Sequence, residues 1–65
     1  MRVKLYHPLR GTPTIVDLDR ATRIEQEGNY IYVYYCTSNG EKMNRYMCRT
    51  EANAIEIVNR YLAGE

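Results

Sequence analysis

From residue 2 to residue 49 the chain alternates polar and apolar positions in short runs, and after residue 50 the spacing becomes that of a helix. Arg2 to Tyr6 sets Val3 and Leu5 on one side and predicts a strand. His7-Pro8 ends it, because proline has no ladder donor. Leu9 to Pro13, with Gly11 and Pro13, predicts a loop. Thr14 to Leu18 predicts a second strand, whose partner stays open because Asp19-Arg20 suits either a tight turn or a bulge. Thr22 to Glu27 and Tyr30 to Cys36 flank Gly28-Asn29, and Lys42 to Arg49 follows a turn centred on Asn39-Gly40. Both are two-residue hairpin signals, and Tyr-Ile-Tyr-Val-Tyr-Tyr is strongly strand-prone. A three-stranded antiparallel meander over residues 22–49 follows.

Residues 51–63 predict a helix capped by Thr50, with Glu51 at the positive end of its dipole and Gly64 as its stop. Ala54, Ile55, Val58, Tyr61 and Leu62 gather on one side, with Ile57 at the border. The expected architecture is therefore α+β: an antiparallel sheet of four to five strands with one C-terminal helix on one face, in a single domain over 1–65.

The two turns fix a register. With Asn39-Gly40 central, Val33 opposes Tyr46, Ile31 opposes Cys48 and Tyr35 opposes Asn44; with Gly28-Asn29 central, Ile24 opposes Val33 and Gln26 opposes Ile31. Ile24, Ile31, Val33, Tyr46 and Cys48 then share the face that meets Ile55, Val58 and Leu62. Parity puts Tyr30, Tyr32 and Tyr34 in a line on the other face. Arg49, Met47 and Arg45 stand beside them on one flank, with Met43 next to Cys36, and Glu27, Glu25 and Arg23 on the other.

Composition makes that second face more interesting. The 65 residues hold four Leu, five Ile and four Val but no Phe or Trp, so seven Tyr and three Met must carry much of the packing. Such a small core often gains stability from a partner. Three aligned tyrosines beside Met43 and Met47 form a larger apolar patch than a monomer usually exposes. Tyr, Met and Arg are also the types enriched at interface cores. We therefore expect a partner-binding face of Tyr30, Tyr32, Tyr34, Met43, Arg45, Met47 and Arg49, taking a protein or a second copy of the chain. Nucleic acid is the weaker expectation: net charge is +1, and Glu25 and Glu27 beside the stripe repel phosphate.

The remaining chemistry is sparse. His7 is the single histidine and has no adjacent carboxylate, so no catalytic base is expected. Asp17 and Asp19 are fewer carboxylates than a calcium site uses. Cys36 and Cys48 fall on opposite faces, which argues for separate thiols over a disulfide or shared metal site. No catalytic residues, metal or cofactor are expected. With no apolar run approaching a bilayer's width and no hydrophobic leader before the two cysteines, we expect a cytoplasmic protein that does not enter a membrane.

Residues 22–63, with their Tyr-rich strand, Asn39-Gly40-Glu41-Lys42 and Thr50-Glu51-Ala52 opening a helix, resemble the AP2-like arm-binding domain of tyrosine-type integrases. That resemblance implies a three-stranded sheet reading the DNA major groove through basic side chains, where this chain puts Tyr and Glu. Residues 15–62 also look like small sheet-plus-helix pieces of PH-like domains in short bacterial and phage proteins. The function expected is that of a non-catalytic protein-binding regulator or inhibitor, of the kind phage and mobile elements use against host proteins. The alternative is a DNA-binding accessory of the integrase-domain type.

Overall fold

The computed structural model describes residues 1–64. The alternating segments form β1 (Arg2–Tyr6), β2 (Pro13–Asp17), β3 (Arg23–Glu27), β4 (Tyr30–Thr37) and β5 (Gly40–Met47). A single 3-10 turn over Leu18–Arg20 follows β2, and α1 (Glu51–Leu62) closes the chain. The strands make one antiparallel sheet in the order β2-β1-β5-β4-β3, an α+β fold.

The second strand is shifted by one residue from its expected span. Leu18 leaves the ladder because Asp17 accepts a hydrogen bond from the Asp19 N–H at 3.0 Å, winding the chain into the 3-10 turn that Asp19-Arg20 left undetermined. That turn drives Leu18 into the core, where it is fully buried.

The Gly28-Asn29 hairpin has the expected register, Ile24 against Val33 and Gln26 against Ile31. The β4–β5 register differs by two residues: Ile31 faces Tyr46, Val33 faces Asn44 and Tyr35 faces Lys42. The cause lies in the turn. Asn39 does not adopt the positive φ that a mirror-image Asn-Gly turn requires; Gly40 supplies it, at 112°. Ser38-Asn39 thus become the central residues, closed by Thr37, whose Oγ1 accepts from the Asn39 N–H at 3.2 Å. Because the shift is even, every side chain keeps its face.

Sheet and helix enclose one core of Val3, Leu5, Val16, Leu18, Ile31, Val33, Cys48 and Ala54. β1 touches β5 in the ladder only at Tyr6 and Met47, so the β1–β2 hairpin turns its apolar side over the same face that α1 covers. The helix is rotated from expectation. Ala54 is buried and Ile57, Val58 and Tyr61 pack on the core, while Ile55 and Leu62 are exposed. Tyr61 fixes this rotation by donating its hydroxyl to the Ala21 carbonyl at 3.2 Å. Ile24 and Tyr46 are half-buried against the core, and Ile31, Val33 and Cys48 fully join it. No helix is long and apolar enough to cross a membrane among the described residues.

Candidate interaction face

The helix packs on one face of the β3–β4–β5 meander and the inward side chains of β1 and β2 join the same core, which leaves the other face open. On that open side the ladder fixes three rows. Glu27, Tyr30, Met47 and Tyr6 form the first, across four strands. Glu25, Tyr32 and Arg45 form the second, and Arg23, Tyr34 and Met43 the third. The two-residue register change corrects the expected neighbours. Met47, not Arg49, flanks Tyr30; Arg45, not Met47, flanks Tyr32; and Cys36 pairs with Glu41, not Met43.

Cation–π contacts hold the tyrosines in place. The Arg23 guanidinium lies 3.7 Å from the Tyr34 ring centre, and Arg45 sits 5.4 Å from that of Tyr30. Arg23 also pairs with Glu25, and with Glu41 at 3.4 Å; these partners, Glu41 first, raise its pKa. Tyr34 donates its hydroxyl to Glu25 at 3.3 Å. Partial desolvation, then the neighbouring Glu25 charge, raises the Tyr34 pKa, so its phenol stays protonated at neutral pH. At this end of the stripe one guanidinium meets two carboxylates, so the surface there is aromatic with one negative charge in excess.

Tyr30, Tyr32, Tyr34, Met43, Arg45 and Met47 are thus brought together. Arg49 stands apart: it lies past the end of β5, donates Nε–H to the Tyr6 hydroxyl at 2.9 Å, and sits 5.3 Å from that ring's centre. Tyr6 is the member that sequence reasoning missed. Its outward parity was readable beside Val3 and Leu5, but nothing in the sequence paired β1 with β5.

The weaker candidates resolve into structural roles. His7 Nδ1 accepts from the Leu9 and Arg10 N–H groups at 3.2 and 3.1 Å, shaping the loop after β1. Cys36 is exposed, Cys48 is buried, and both are free thiols. Burial raises the Cys48 pKa. Among the described residues no three His, Cys, Asp or Glu side chains cluster as metal ligands. The chain matches no protein-family model, no curated protein and no solved structure.

Proposed function

We propose that this chain is a non-catalytic binding module that acts in the cytoplasm and takes a protein partner through the open face of its meander. One observation carries the reading: a continuous row of three tyrosines with Met43, still 47% exposed, lies on the side that neither helix nor hairpin covers. A tyrosine ring offers a large contact area with few rotors to immobilise, and methionine adapts to a partner's contour. At the rim Glu25 and Glu41 outnumber Arg23, which suits a polar protein boundary and gives a phosphate backbone no continuous basic track. Occupying a partner's surface in this way is how a small regulator or inhibitor acts.

The test is affinity capture on the immobilised wild-type chain and on Tyr32→Ala, each with and without nuclease. The reading expects a protein held by the wild type, resistant to nuclease, and lost from Tyr32→Ala. Species that disappear on nuclease treatment would replace it with the nucleic-acid reading.

A further inference from the structure

The chain's charges are nearly balanced overall but not locally. Where β1 runs past the end of β5, it leaves a groove of about 310 Å³ against α1. Arg2, Lys4 and Tyr6 line it from the strand, Arg60 from the helix, and Arg49 from the β5–α1 junction; among the described residues Glu56 is its single carboxylate. None of these four cations has a carboxylate within ion-pair distance among the described residues. Arg10, Arg20, Lys42 and Arg45 are likewise without such a partner, so what sets the first four apart is that they converge on one groove.

We infer that this groove binds a diphosphate group, either free pyrophosphate or the diphosphate of a nucleotide. Three of the four cations are arginines, whose planar forks match phosphate oxygens in pairs. Arg49 is held by its Nε–H bond to the Tyr6 hydroxyl, and its terminal nitrogens make no hydrogen bond among the described residues. The charge balance selects the ligand. One phosphate monoester carries about −1.5 to −2 at pH 7, too little to meet four cations offset only by Glu56; two linked phosphates match them. The groove's length agrees: its helical wall from Asn53 to Arg60 rises about 10 Å, enough for two phosphates in line. Like charges lining one groove repel one another, so a bound anion is expected to stabilise the folded chain.

The groove adjoins the tyrosine face through Tyr6 and Arg49, but the inference rests on the cations that line the groove and not on that face. The test is a titration of the isotope-labelled protein with pyrophosphate, inorganic phosphate and ADP at fixed ionic strength, followed by backbone amide NMR. Pyrophosphate is expected to bind at least tenfold more tightly than phosphate, with shifts concentrated at Arg2, Lys4, Arg49, Asn53 and Arg60. Lys4→Gln/Arg60→Gln, which removes one exposed cation from each wall, is expected to weaken pyrophosphate binding at least tenfold while Arg45→Gln does not. Arg49→Gln supplies the same readout at a third position. ADP binding tighter than pyrophosphate assigns the group to a nucleotide; equal or weaker ADP binding assigns it to free diphosphate. Phosphate and pyrophosphate binding equally, or undiminished binding by the double variant, would overturn the inference.

Discussion

The chain's four leucines provide a controlled test of its packing, because one substitution can be made in two opposite environments. Leu5 and Leu18 are 0% exposed, whereas Leu9 is 84% and Leu62 75% exposed. Leu5→Ala and Leu18→Ala each leave a cavity among Val3, Val16, Ile31 and Val33, and the expected cost is about 2–5 kcal/mol. A domain of this length has roughly 3–10 kcal/mol of stability in total, so either change consumes a large fraction of it. At about 4–8 °C per kcal/mol for a domain this size, the melting temperature should fall by at least roughly 8 °C. Leu62→Ala and Leu9→Ala should stay within about 0.5 kcal/mol of the wild type, since little area leaves contact and alanine is no worse in a helix. Thermal and urea unfolding followed by circular dichroism measure all four. Leu62→Ala destabilising as much as Leu18→Ala would refute the packing described here, since it would mean that α1 buries the Ile55 and Leu62 side.

Thr50→Ala should cost about 1 kcal/mol in the same assay, because Thr50 Oγ1 accepts the Asn53 N–H at 3.1 Å as the helix cap. One thiol, Cys36, should react quickly with a disulfide reagent near pH 8 and Cys48 only on unfolding, while added reductant should leave the melting temperature unchanged. Burial of Cys48 and Tyr35 holds their folded-state pKa values above the ordinary 9.0 and 10.0, so the unfolded chain loses these protons first. Their contribution to stability is full below about pH 9 and is lost as pH rises through the folded values; a melting temperature rising over that range would contradict it.

The parts of the fold legible in the sequence were those governed by local chemistry. Gly28-Asn29 fixed one hairpin residue for residue, because Gly28 takes the positive φ of 59° that the turn needs. Asn39-Gly40 located the second hairpin but not its register, since the glycine serves one position later than an Asn-Gly mirror-image turn would use it. The even displacement preserved which face each side chain occupies, so the tyrosine row was readable while its neighbours were not. Long-range placement was out of reach. The helical spacing admits both the Ile55/Leu62 side and the Ile57/Tyr61 side, and the Tyr61 bond to Ala21 that decides between them spans 40 residues. The contact of Tyr6 with Met47 is of the same kind. Without it, neither the fourth tyrosine of the face nor the basic groove beside α1 could be assembled from a net charge of +1.

The central claim is that the Tyr32 side of the meander holds a protein partner. The most direct measurement is the affinity of the captured partner for the wild type, Tyr32→Ala and Arg45→Gln over a range of salt concentrations. Tyr32 sits at the middle of the face between Glu25 and Arg45, with the core packed on the opposite side, so its removal should spare the fold. The account predicts a loss of about 2 kcal/mol or more for Tyr32→Ala, roughly thirtyfold in affinity, with little dependence on salt. Wild-type affinity in both variants would contradict it and move the site off this face.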